Sequence, residues 1–209
     1  MYTPAHNRET NQARIVAFMR EFSFATLVTA REANIKATHL PFMIEERGAK
    51  LILSAHLARA NDQWRDFGNG PILVIFQEPH AFISPRYYER ELSVPTWNYV
   101  AVHAYGNAII CDSPEEKYAM IERLVGNTDP DYLGRFKALP SDFVASELRG
   151  FVAFDIEVTR LEARFKLSQD RTAKERENII QALTGAGDHT GKRIGEMMRA
   201  DLGKADRQE

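Results

Sequence analysis

The chain has 209 residues, 44% hydrophobic and 27% charged, which suits one sizeable domain with helical extensions and is short for two independent domains. Its 27 basic and 29 acidic residues leave a formal net charge of −2, so there is no overall electrostatic pull toward nucleic acid or membrane, although a local basic patch in the C-terminal tail is compatible with it. A single cysteine, Cys111, excludes an internal disulfide and points to a reducing compartment. It follows an apolar "NAII" run, and the expectation is a small buried hydrophobe at a strand end.

The first twelve residues are polar and lack the apolar centre of a signal peptide. No apolar run approaches the roughly 20 residues that cross a bilayer, so a soluble, cytoplasmic protein is expected. Between Thr10 and Phe22, Ile15, Phe18, Met19 and Phe22 fall at helical spacing, with Thr10 or Asn11 as cap.

Strand-like runs follow. "FATLVTA" (24–30), a turn at 31–34, "IKATHLPFMI" (35–44), a turn around Gly48, and "KLILSAH" (50–56) are joined too closely for crossover helices. Their pairing should be antiparallel. "ILVIFQ" (72–77) is a nearly continuous apolar run, expected to be buried on both faces, and an aromatic loop should follow it. "TWNYVAVHAYGNAIICD" (96–112) reads as a long strand with a bulge or bend at Gly106.

Ser113, Pro114 and Glu116 form a capping-box start to a helix ending near Gly126. Residues 127–149 read as irregular with a short helix from Ser141. "FVAFDIEVTRLEARFKLS" (151–168) is a sixth strand, bent or in two pieces. Thr172 and Glu175 open another helix, and Ile194, Met197, Met198 and Leu202 stripe a last one before a frayed terminus. The pattern gives a mostly antiparallel sheet of about six strands with peripheral helices, an α+β class. Closure of that sheet would remove its edges.

No GxGxxG, GxxxxGK[ST], CxxC, HExxH or GxSxG pattern occurs. Four polar clusters stand out instead. Ser54, His56, Arg59 and Asn61 join a strand end to a turn, where a guanidinium fork and free N–H groups suit a phosphate. Read alone, the segment is a polar turn with a solvated arginine. Thr38 and His39 put polar groups on a strand where they could meet the edge of a heteroaromatic ring; a satisfied barrel-interior histidine is the plain alternative. Trp97 beside Asn98 could cover such a ring, or be core. Lys166, Ser168 and Gln169 offer a polar cluster at a strand exit, where a snorkelling lysine is the ordinary reading. His80 and His103 have no metal-ligand spacing.

Together, "MYTPAHN", "FATLVT", "ATHLPF", "HLARANDQW", "VIFQEPHAFISPRYY", "VPTWNYVAVHAYG" and "FKLSQDR" resemble the PaiB family of flavin-binding transcriptional regulators. The likeness runs in order to about Arg171; beyond it only helical character matches. It implies an FMN-binding split β-barrel over 1–171, with residues 172–209 as a helical extension on the same domain, and a homodimer with FMN at the interface. In similar folds an arginine after the third strand holds the phosphate, the place Arg59 takes here, and second-strand residues approach the isoalloxazine, which maps to Thr38 and His39. The resemblance adds Trp97, Asn98, Lys166, Ser168 and Gln169 as cofactor-binding candidates, some contributed by the partner subunit. Family members often read Asn-Pro-Gln where this chain has Asn61-Asp62-Gln63, a change expected to alter the turn without abolishing phosphate binding.

The function implied is that of a negative transcriptional regulator. No helix-turn-helix or basic face supports direct contact with nucleic acid. An FMN-dependent oxidoreductase or flavin reductase is the alternative, with His39 as first candidate for an acid or base, and haem binding on the same fold a third.

Overall fold

The computed structural model describes residues 1–185 and 187–205. The frayed end expected after Leu202 falls, at 206–209, outside the described residues. Chain contacts divide the protein into two compact units: residues 16–76 with 103–161, and residues 1–15 with 77–102 and 162 onward.

The larger unit carries the sheet. Its strands are β2 (Phe24–Arg31), β3 (Asn34–Pro41), β4 (Met43–Arg47), β5 (Lys50–Ala58) and the adjoining parts of β6 (Ile72–Ile83), β7 (Thr96–Cys111) and β8 (Phe151–Lys166). They run in the order β3-β2-β6-β7-β8-β5-β4, a path with two free ends. β2 pairs antiparallel with β3 (Thr26 opposite His39) and with β6 (Leu27 opposite Val74), and β5 pairs antiparallel with β4 and β8. The class is α+β with an antiparallel sheet, as the pattern of strands and helices predicts, and it agrees with the split barrel that the family resemblance implies.

Eight strands are present among the described residues, not six. The 35–44 run breaks at Phe42, whose N–H leaves the ladder for the Ser23 carbonyl (2.9 Å) beside Pro41, which has no donor to offer. A two-residue strand, β1 (Arg8–Glu9), supplies the eighth. The run from Ile72 is not covered equally on both faces: Ile72, Val74 and Phe76 are buried while Leu73 and Ile75 are half-covered. It also does not yield to a loop at Glu78. After a shift of one position, Pro79, Ala81 and Ile83 resume the buried alternation, and the strand continues to Ile83. The last long strand is unbroken from Phe151 to Lys166.

Phe42, Phe67, Phe76 and Phe154 pack as an aromatic centre, with ring centroids 4.8–6.5 Å apart. Gly106 sits where β7 meets β8: a Cβ there would collide with the Glu157 carbonyl oxygen and lie 2.7 Å from Ile156 Cγ2. Cys111 ends β7 half-buried against the Met43–Met120–Ala153 cluster, and burial raises its thiol pKa.

Helix α2 (Pro114–Thr128) opens on the full Ser113/Glu116 capping box. The short helix expected from Ser141 is present as α4 (Ser141–Arg149), and the part before it, expected to be irregular, holds a further short helix, α3 (Leu133–Lys137).

The smaller unit holds β1 paired antiparallel with the end of β8 (Arg8 opposite Arg164), and helices α5 (Ala173–Gly185) and α6 (His189–Ala205). Thr172 and Glu175 make the expected reciprocal cap of α5, at 3.1 and 3.2 Å. Helix α1 (Gln12–Glu21) begins with Asn11 as its cap (Arg14 N to Asn11 Oδ1, 3.0 Å). Among the described residues no helix is long and apolar enough to cross a membrane.

Candidate functional site

In the larger unit, β5 ends at Ala58 and the chain turns through Arg59 into a 3₁₀ turn over Asp62–Asp66. Asn61 caps that turn, its Oδ1 accepting from Gln63 N (3.1 Å). Asp62 occupies the first helical position, which proline also fills readily, and here it pairs with Lys36 at 3.0 Å.

The turn is tied to β3 by a chain of polar contacts. Asn61 Nδ2 donates to Thr38 Oγ1 (2.9 Å), Thr38 Oγ1 donates to Gln63 Oε1 (2.5 Å), and Gln63 Nε2 donates to the Leu27 and Lys36 carbonyls (both 3.2 Å). Gln63 is fully buried. Below it, buried Asp66 accepts from Thr29 Oγ1 (3.1 Å). Gln63 closes the Asn61-Asp62-Gln63 motif without having been singled out as a site residue, yet it holds Thr38 and Asn61 in position; no motif marks Asp66.

Arg59 is 43% exposed at this turn. Its Nε donates to the Arg149 carbonyl (3.1 Å) and its Nη2 to the Phe151 carbonyl (3.2 Å), while Asp112 stands 3.7 Å away. Those bonds orient the guanidinium. Nη1 makes no hydrogen bond among the described residues and faces no backbone claim on its donors. His56 lies against the same residue, its ring 5.0 Å from that of Phe151, and burial lowers its pKa. Arg59 and His56 therefore converge on Phe151, and Asn61 joins Thr38.

Ser54 does not join them. It is buried in an ion cluster, donating to Asp155 Oδ1 (2.5 Å) and accepting from Arg47 Nη2 (3.1 Å), with Arg47 also paired to Asp155 and Glu45. His39 is exposed on the opposite face of β3 from Thr38, because successive strand residues alternate. It lies 3.0 Å from Thr26 Oγ1 and 6.5 Å, stacked, from the exposed Phe24 ring. Thr38 and His39 cannot both turn to one ligand from a single strand.

The remaining five candidates lie in the smaller unit. Asn98 is fully buried: its Nδ2 donates to Ser168 Oγ (2.9 Å) and the Met198 sulfur (3.4 Å), and Ser168 Oγ lies 3.1 Å from its Oδ1. Ser168 holds a left-handed backbone (φ 58°) where the chain leaves β8. Gln169 folds back on the same exit, donating to the Phe165 carbonyl and accepting from Leu167 N. Trp97 faces away from Asn98, 52% exposed, with His80 and Phe82 rings 5.8 Å away. Lys166 donates to Thr96 Oγ1, and burial, with Arg164 and Arg171 nearby, lowers its pKa.

Residues 1–160 match the sequence profile of the family described as "Putative FMN-binding domain". The chain is 38% identical over 208 residues to the Protease synthase and sporulation protein PAI 2 of Bacillus subtilis (strain 168), spanning 98% of this chain and 99% of that one. It is 26% identical over 242 residues to the Uncharacterized protein AN0679 of Emericella nidulans, spanning 95% and 96%. Among solved structures, the FAD and Heme binding protein from Mycobacterium smegmatis shares the fold with a TM-score of 0.62 at 14% identity, over 82% of this chain and 78% of that one. The Flavocytochrome Anf3 from Azotobacter vinelandii does so with 0.61 at 12% identity, over 76% and 69%.

Proposed function

The chain belongs to the PaiB family of FMN-binding proteins, and from that premise we propose that it binds FMN as a cytoplasmic homodimer and acts as a PaiB-type negative regulator of transcription. The observation that carries this reading is the match to PAI 2 along almost the whole of both chains.

The donors at the β5 turn fit the flavin's phosphate. Arg59 is held in place through two of its nitrogens and keeps the third, a charge-assisted donor, at an exposed position. Asn61 keeps a second amide hydrogen and Thr38 a second lone pair for polar atoms of the same ligand. Lys166 is the candidate cation of the smaller unit, because an anion beside it would relieve the burial and like-charge repulsion that lower its pKa. Asn98 and Ser168 satisfy each other and serve as its frame.

When bound, FMN supplies the redox chemistry of its isoalloxazine ring. The protein's residues fix its phosphate and shield or expose its faces. With a net charge of −2, regulation through a protein partner or a local basic patch is favoured over broad electrostatic binding of DNA.

The test is titration of the purified chain with FMN, followed by flavin absorbance and sedimentation. Saturation at one FMN per subunit with a dimeric mass is expected. A chain that stays monomeric and colourless at high FMN contradicts the reading. Rapid bleaching of bound flavin by NAD(P)H, with no effect of the protein on any promoter fragment, would favour the oxidoreductase instead.

A further inference from the structure

Helices α2 and α4 of the larger unit flank an open cavity of about 800 Å³ that the flavin reading does not use. This volume lies within the range of roughly 300–1,000 Å³ typical of small-molecule pockets. Its walls are the side chains of Tyr118, Leu139, Val144 and Leu148. Tyr118 is held flat by stacking on Phe136, with centroids 5.5 Å apart and planes 23° apart. Apolar walls of this kind call for an apolar body.

The cavity also contains Lys117, which is 5% exposed. A buried ammonium needs partners, and it has three hydrogens to satisfy. Lys117 Nζ donates to the Leu148 carbonyl (3.3 Å) and lies near the Phe151 ring (5.8 Å). Its nearest carboxylate, Asp112, stands 3.7 Å away, beyond hydrogen-bond reach, on a side chain 77% exposed and shared with Arg59. The buried charge is thus under-coordinated, and its counter-ion is free to swing into solvent.

At the mouth, Ser141 starts α4 with no side-chain cap from Pro140, leaving further donors on the same cavity. The charges of the lining balance, Asp112 and Glu115 against Lys117 and Arg149, and Lys117 is the buried one of the four, so it sets the preference inside.

We propose that this cavity is a second ligand site, for a small carboxylic acid with an apolar acyl or aryl body. The carboxylate takes the place of Asp112 on Lys117 Nζ, and the body lies along Tyr118, Val144 and Leu148. An alcohol of the same shape leaves the ammonium as it was, and an amine meets like charge. The site is distinct from the FMN phosphate position and shares Asp112 with Arg59.

The experiment is calorimetric titration of the full chain with octanoate, with octan-1-ol and octylammonium for comparison, each with and without saturating FMN. One octanoate per chain is expected, with the alcohol and the amine about tenfold weaker or worse. Lys117→Met should weaken octanoate about tenfold, and Lys117→Arg should restore most of the loss. Ala145→Trp fills the cavity from an exposed position, so it should block octanoate in a folded protein and decides the matter if Lys117→Met fails to fold. Absence of saturable octanoate binding, equal binding of octan-1-ol, preference for octylammonium, indifference to Lys117→Met and Ala145→Trp, or displacement of octanoate by FMN would each overturn the proposal.

Discussion

The turn after β5 and the exit of β8 carry similar polar residues and use them in opposite ways. At the β5 turn, buried Gln63 ties Thr38 and the backbone of two strands together, and Arg59, fixed by two carbonyls, keeps a donor exposed. At the β8 exit, Asn98, Ser168 and Gln169 spend their groups on one another and on the chain. A polar residue in a promising position is a ligand group only when its neighbours leave it capacity.

The sharpest way to break the comparison is Gln63→Leu. It orphans two strand carbonyls and Thr38, and should cost about 3 kcal/mol in urea unfolding, with FMN affinity falling in the folded fraction as Thr38 and Asn61 lose their anchor. Asn98→Ala should cost about 2 kcal/mol while leaving FMN affinity of the folded protein within about twofold. A large loss of affinity without loss of stability would place Asn98 among the ligand groups instead.

The smallest effect is in pH dependence. Burial lowers the pKa of His56, so the folded state keeps it neutral while the unfolded chain binds a proton below the ordinary value of 6.5. Stability associated with His56 is complete above that value and declines as pH falls through it. His56→Phe should flatten that part of the stability profile, measured by thermal unfolding between neutral and mildly acid pH. An unchanged slope would show that His56 is not held neutral.

Much of the fold was legible in the sequence because it rests on local chemistry. The Ser113/Glu116 and Thr172/Glu175 boxes and the Asn11 cap appear where residue type and spacing put them. What escaped was tertiary: Phe42 turning its N–H to Ser23, and β6 continuing past Pro79 because Ala81 and Ile83 remain buried. The proposed site was half legible. Arg59 and Asn61 announce themselves by type and position, whereas the burial that closes Asn98 on Ser168, sends Ser54 to Asp155, and turns His39 away from Thr38 depends on partners distant in sequence. Gln63 stands in a family motif that does not tell its role and Lys117 in none, and only the packing around them gives them a role.

The most direct test of the central claim, that Arg59 holds the flavin's phosphate, is to compare FMN with riboflavin as ligands of the wild-type chain and of Arg59→Ala. The wild type should prefer FMN, and the variant should lose about 1.5–3 kcal/mol of FMN affinity while binding riboflavin as before, which erases the preference. A variant that still prefers FMN by the wild-type margin would contradict the account.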